Sequence, residues 1–378
     1  MLAIKYDRRI SMNKVILLGL LIICVNRNIS FAQTVDLTSV DEFFKVTSII
    51  KEGQQNSGEQ WTDFDNSTGY KKYVDSENEF IINTIKATIN MAFANNDLSK
   101  VDSLLSTSRE EMAENRKLMF QKRILKNYLD MKENFESIKS FRENYDFNNL
   151  IERSKLRLFT FLGKAVDTSF RFKALYFNCM DADGYNAEDA IYLDFNLINK
   201  MTEEQRINFL AHEFFHNYRE KFENHDFNHK CDLNYGIDMI QNEGIADMID
   251  KTDGYKNYYT KVIQEPELAE IMVSLYKQAP EDLGKLQNMI LKYSKDEVSE
   301  NELIDEWIEI VKFNGHAIGF FMANQIEKAG YENEMLETFY NPYAFFALYT
   351  RAAKKQNLFQ LSDEFMAYLR SMIEEFYR

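Results

Sequence analysis

The sequence predicts a mainly helical α+β protein: long helices in series with one small antiparallel sheet. Three observations carry this. Only three prolines and 13 glycines occur in 378 residues, and none lies between Gly69 and Gly163, so the two strongest helix breakers are missing over a long stretch. Apolar residues recur at helical spacings, as in Ile82, Ile85, Ile89 and Phe93 or Phe147, Ile151 and Leu158. Two short runs at 172–177 (FKALYF) and 190–195 (AIYLDF) are instead dense in aromatic and aliphatic residues, as strands are. With 45% hydrophobic residues the chain can bury a sizeable core, as one large or two modest domains.

Residues 1–32 read as a signal peptide. Lys14 leads into an apolar run at 15–25, too short to span a bilayer, and Ser30-Phe31-Ala32 supplies small residues for cleavage. A secreted or periplasmic protein is the expectation. Cleavage after Ala32 removes Lys5, Arg8, Arg9, Lys14, Arg27 and Asp7, taking the formal charge from −15 to −19. Such a field disfavours nucleic acid and anionic lipid as partners, and no later run is long enough for stable membrane insertion. Cys179 and Cys231 remain, either paired or as buried thiols; two cysteines make no disulfide scaffold.

Residues 33–167 form the expected N-terminal helical module, with a polar, turn-rich exposed loop at 53–69. The second domain, 168–378, opens with the two strands, read as a hairpin. Between them Asp181-Ala182-Asp183-Gly184, with Asn186, Glu188 and Asp189, reads as Asp-Gly turn chemistry; an oxygen-rich calcium loop is the weaker reading, because the spacing does not fit an EF-hand. Thr202 and Gln205 make a capping box for a helix running to about Phe222. Further helices are expected over 237–250, after Pro266 and Pro280, over 302–329, and from Asn341-Pro342 onward.

The chemistry concentrates in the Thr202-capped helix. Histidine is scarce, five in all, and four lie between His212 and His229. His212-Glu213-Phe214-Phe215-His216 places two imidazoles one turn apart on one helix face, where they can hold one zinc ion, with Glu213 beside them as general base. A catalytic zinc takes three protein ligands and leaves one position open. A third histidine six residues on is excluded, because that position is Phe222 and the glycine expected midway is Arg219. The alternative is Glu243 in Gln241-Asn242-Glu243-Gly244-Ile245-Ala246-Asp247, far enough on for one helix to end and another to return. Asp247, one turn further, is placed to accept the spare N–H of a ligand histidine, and Gly244 to let the two helices approach closely.

These two motifs resemble the gluzincin class of zinc peptidases. More narrowly, the chain is similar to a family of secreted bacterial proteins described as zinc-dependent peptidases, over about 172–355, taking in the strand at 190–195 and Gly315-His316-Ala317-Ile318-Gly319-Phe320. The resemblance implies a zincin-like domain in which His212, His216 and Glu243 bind Zn2+, Glu213 is the base and Asp247 supports the ligands. It also implies that the strand before the motif helix is the sheet edge on which a peptide or protein substrate adds. The exopeptidase signature glycine-x-methionine-glutamate-asparagine is missing, so endopeptidase action is the expectation. His316 is the candidate donor to a developing oxyanion, with Gly315 and Gly319 letting its helix press on a neighbour; Tyr235 and Tyr192 are weaker candidates.

His225, His229 and Cys231 suggest a second metal site only weakly, since 224–234 is rich in Asn and Asp and reads as a loop. Two other functions share these residues: a non-catalytic binding protein on a gluzincin-like scaffold, and a zinc hydrolase of a non-peptide bond. The retained Glu213 speaks against an inactive scaffold, which needs no base.

Overall fold

The computed structural model describes residues 33–373 except 76–78, 95–97, 108–115, 164–165, 181–182, 224–225 and 227–231. The expected signal peptide, and His225, His229 and Cys231 with the second metal site they suggested, lie outside the described residues, as do Asp181 and Ala182. Among the described residues, no helix is long and apolar enough to cross a membrane.

The chain is mainly helical. After strand β1 (Val35–Asp36) come α1 (Thr38–Lys51), α2 (Gly58–Asn66), α3 (Thr68–Asp75), α4 (Glu79–Phe93), α5 (Leu98–Leu105), α6 (Arg116–Glu133), α7 (Phe135–Asn144) and α8 (Phe147–Leu162). The stretch 53–69 is thus not one exposed loop. Ser57 and Gln60 form a capping box that starts α2, and Phe64 and Tyr70 are buried with ring centroids 4.3 Å apart. Local capping and two buried rings outweigh the polar composition.

The sheet corrects the antiparallel hairpin. Strands β2 (Ala174–Asn178), β3 (Gly184–Asn186) and β4 (Ala190–Asp194) join β1 in the order β1-β2-β4-β3. β1, β2 and β4 run parallel, with Leu175 opposite Ile191, and only β3 is antiparallel to β4. The physical reason lies in burial: Leu175, Phe177, Ile191 and Leu193 are all sealed in the core, and near-continuous apolar runs are the mark of parallel strands. The turn residues serve β3 instead. β4, the strand ahead of the motif helix, is therefore interior, and β3 is the edge.

Next follow α9 (Phe195–Lys200), α10 (Glu203–Arg219), a 3-10 turn (Glu220–Phe222), α11 (Asp232–Asp250), α12 (Gly254–Asn257), a π-helical turn (Tyr258–Val262) and α13 (Pro266–Tyr293). Pro266 opens α13 as expected, but Pro280 lies inside it, because the buried stripe Met272, Ala279, Leu283, Leu286 and Ile290 continues across the proline. α14 (Glu300–Ile310), a 3-10 turn (Phe313–Gly315) and α15 (His316–Lys328) replace the single helix expected over 302–329. Phe313, Asn314 and Gly315 take φ values of 50, 53 and 84°, the left-handed region, which ends one helix and starts the next at His316. α16 (Glu332–Glu337), α17 (Pro342–Gln356) and α18 (Asp363–Ile373) complete the chain.

One hydrophobic core extends from Val40 to Ile373, so packing is continuous across residue 168. The helices of the first half grip the sheet through polar side chains. Tyr70 and Tyr128 hydroxyls donate to the Cys179 carbonyl at 2.8 and 3.0 Å, and Asn127 Nδ2 donates to the Met180 carbonyl and to Asp194 Oδ2. Asp194 in turn caps α9, and its burial pushes the carboxyl up to about 6. Cys179 is a buried free thiol.

Candidate metal centre and active-site cleft

α10 begins with the capping box read from the sequence: Thr202 Oγ1 accepts from Gln205 N, and Gln205 Oε1 from Thr202 N. From Phe209 to Arg219 the helix is buried on all sides, so both histidines of the motif point into protein. Arg219, fully buried, ties this helix to α11. Its guanidinium forms a two-point pair with Asp238 at 2.5 and 2.9 Å and reaches Gln241 Oε1, Glu223 and the Phe339 carbonyl. A fork-shaped cation suits such paired acceptors, and the pairing fixes how α11 lies against α10.

The result brings His212, His216 and Glu243 together. The two Nε2 atoms are 3.0 Å apart, and Glu243 Oε2 stands 3.7 and 3.5 Å from them. Each imidazole turns its Nδ1 outward to an acceptor: His212 to Asp250 Oδ1 at 3.1 Å, His216 to Asn242 Oδ1 at 2.9 Å. Burial opposes charge on His212, but the Asp250 carboxylate raises it above the ordinary histidine value; burial drives His216 down to about 4. A hydrogen bond between the two Nε2 atoms needs a proton on one of them, and the tautomers decide which ring donates.

Do these residues fit a zinc ion? Tetrahedral coordination at about 2.0–2.1 Å separates ligand atoms by about 3.3 Å, and the three separations here are 3.0, 3.5 and 3.7 Å. Glu243 Oε2 is buried without a hydrogen-bond partner. The donor set, two imidazoles oriented through Nδ1 and one carboxylate, is a zinc set with its outer supports in place. The residues fit.

Glu213 lies beside this group. Its Oε2 is buried with no hydrogen-bond partner, and burial, with the Glu243 carboxylate, pushes it up to about 8 against the pull of His212. β3 presses on it: a Cβ at Gly184 would stand 3.1 Å from Glu213 Oε1 and 2.7 Å from the Phe209 ring, so a larger residue there would push these side chains aside.

Asp247 takes a partner other than the expected one. It lies 3.8 Å from His212 Nδ1 but bonds His316 Nδ1 at 3.0 and 3.1 Å through its two oxygens. The support of His212 falls to Asp250. His316 Nε2 is 3.3 Å from Glu243 Oε2. Burial opposes its protonation, but Asp247 and Glu243 raise it to about 9, so near neutrality the ring is a cation with an Nε2–H to offer. Gly244 makes its close approach to α15 rather than to α10. A Cβ there would meet the Gly319 carbonyl carbon at 2.3 Å, and one on Gly319 would meet the Ile240 carbonyl oxygen at 2.0 Å. Gly315 rests on Ile240 in the same way.

These groups open into a cleft of about 780 Å3, between β3 and Met119 and Arg123 of α6 and, elsewhere on its wall, Tyr258 and Phe313. Tyr235, 54% exposed, lines it. Tyr192 does not: it is buried in β4, stacked on Tyr176 at 5.7 Å. Sequence reasoning missed Asn242, Asp250 and Lys251. Asn242 adjoins the ligand glutamate, and Asp250 follows Asp247 by three residues on the same helix, so a helical-face reading of α11 carried the signal.

A family described as "putative zinc dependent peptidase (DUF5700)" matches residues 61–358. The chain belongs to this family. The family's span begins well before residue 172 and takes in most of the N-terminal helices as well as the cleft, so both belong to the shared architecture. No curated protein and no solved structure matches the chain.

Proposed function

We propose that this member of the family is a secreted zinc metallopeptidase acting within peptide chains. The observation that carries the reading is the convergence of His212 Nε2, His216 Nε2 and Glu243 Oε2, a buried oxygen without a hydrogen bond, with Glu213 Oε2, likewise without one, next to them. Export rests on the apolar segment at 15–25 and the cleavage-site residues after it.

His212, His216 and Glu243 would hold the ion. Zinc bound there supplies a Lewis acid that acidifies water and polarises a peptide carbonyl. Glu213 Oε2 takes the proton from the attacking water and returns it to the leaving nitrogen. His316, held by Asp247, offers Nε2–H toward negative charge developing on the carbonyl oxygen. Along the cleft rim the edge strand β3 offers its backbone, so an extended substrate can add there, with Gly184 keeping the way to Glu213 clear.

The test is zinc content and peptide-library cleavage for the protein and for Glu213→Ala. About one zinc per chain in both, with cleavage reduced by a factor of about 100 to 10,000 in the variant, is the expected result. Undiminished cleavage by Glu213→Ala rules the base out, and absence of zinc from both rules the site out.

A further inference from the structure

The C-terminal end of α11 holds a buried cation that the chemistry above does not use. Lys251, 4% exposed, points its ammonium at both aspartates of the last turn: Nζ is 2.6 Å from Asp247 Oδ1 and 3.0 Å from each oxygen of Asp250. These three contacts match the three N–H bonds of an ammonium group. Lys251 therefore has nothing left to give a substrate, although it borders the cleft.

Its two partners lead to different parts of the site. Asp250 accepts from Nδ1 of His212, one of the candidate ligands. Asp247 accepts from Nδ1 of His316, the candidate donor, and from the Tyr255 hydroxyl at 2.7 Å. Two carboxylates three residues apart, buried at the negative end of a helix, repel each other and the helix dipole. A cation between them holds both in one orientation, and through them both rings. His216 is outside this arrangement, since its Nδ1 goes to Asn242.

We infer that Lys251 is a positioning residue that, through Asp250 and Asp247, sets the orientation of His212 and His316 together and thereby couples metal affinity to the donor. The inference rests on the zinc-site reading but is tested without peptide cleavage. Zinc affinity by competition titration, and the 15N chemical shifts of the histidine side chains in the metal-free protein, are measured for wild type, Lys251→Met, Lys251→Arg, Asp250→Asn and Asp247→Asn.

Lys251→Met should weaken zinc binding about 10- to 100-fold, in the range of outer supports of metal ligands. It should shift the signals of His212 and His316 while leaving that of His216 Nδ1, held by Asn242, in place. Asp250→Asn should reproduce only the His212 part with the loss of affinity, and Asp247→Asn only the His316 part. Lys251→Arg, which keeps the charge, should stay close to wild type and remains informative if the methionine variant fails to fold. Unchanged shifts and affinity in Lys251→Met overturn the inference. So does a shift of His216 Nδ1 as large as those of His212 and His316, which marks general damage. A wild-type protein that cleaves no peptide but shows this pattern sinks the peptidase reading and leaves the role of Lys251 standing.

Discussion

His212 and His216 face each other through their Nε2 atoms at 3.0 Å, closer than either stands to Glu243. A hydrogen bond at this distance needs a proton on one of the two nitrogens, in the place where a divalent cation would lie.

Loading with zinc must therefore expel that proton. Because the Asp250 carboxylate raises His212 against the effect of burial, the metal-free ring keeps a proton into the pH range above the ordinary histidine value. Zinc affinity should rise with pH across this window, and binding should release protons. Titration calorimetry in buffers of different ionisation enthalpy measures the release. A heat of binding that does not depend on the buffer would remove the shared proton from the account.

Glu213 gives the metal-free protein a second pH dependence. Its folded-state value, about 8, lies above the ordinary 4.5, so its contribution to stability is complete below about 4.5 and is lost as pH rises through about 8. Glu213→Gln has nothing there to titrate. The metal-free variant should gain on wild type as pH rises, by on the order of a few kcal/mol, with a larger Tm difference at about pH 9 than at about pH 5. Equal differences at both pH values would refute the burial effect.

Removing the donor should separate turnover from binding. His316→Gln should keep zinc and leave KM within a few-fold, while kcat falls by a factor of about 100 to 1,000. Loss of zinc from this variant would instead make His316 a ligand.

The crossing of α11 and α15 admits no side chain. Gly244→Ala should destabilise the fold by about 1–3 kcal/mol or more in denaturant titrations, because its Cβ meets Gly319 backbone rather than a movable side chain. It should also weaken zinc binding, since Glu243 is the adjoining residue. Gly284→Ala is the control: its Cβ would meet only the Phe359 ring, at 3.6 Å, and helix propensity favours alanine by about 0.5–1 kcal/mol. A Gly244→Ala protein as stable as wild type would contradict the tight crossing.

Much of the candidate site was legible because helices write their faces into sequence. The spacing of His212 and His216, the cap at Thr202 and the distance to Glu243 all describe one-dimensional periodicities. What escaped depends on how elements meet. Asp247 and Asp250 differ by about a turn of the same helix, and only the rotation of α11 against α10 decides which of them meets His212. The sheet misled for a similar reason: an Asp-Gly pair announces a turn, but not that the next strand is the short β3 rather than β4. The break before His316 was readable, since Asn314-Gly315 is a turn signal; the apolar periodicity on either side outweighed it.

Arg219 has a last consequence. Its contacts with Asp238 and Gln241 involve neither the candidate ligands nor a metal. The cost of arranging α10 against α11 is thus met during folding and not by the ion. Chelation should leave this protein folded with its ligands preorganised, unlike small metal-stapled domains that collapse without zinc.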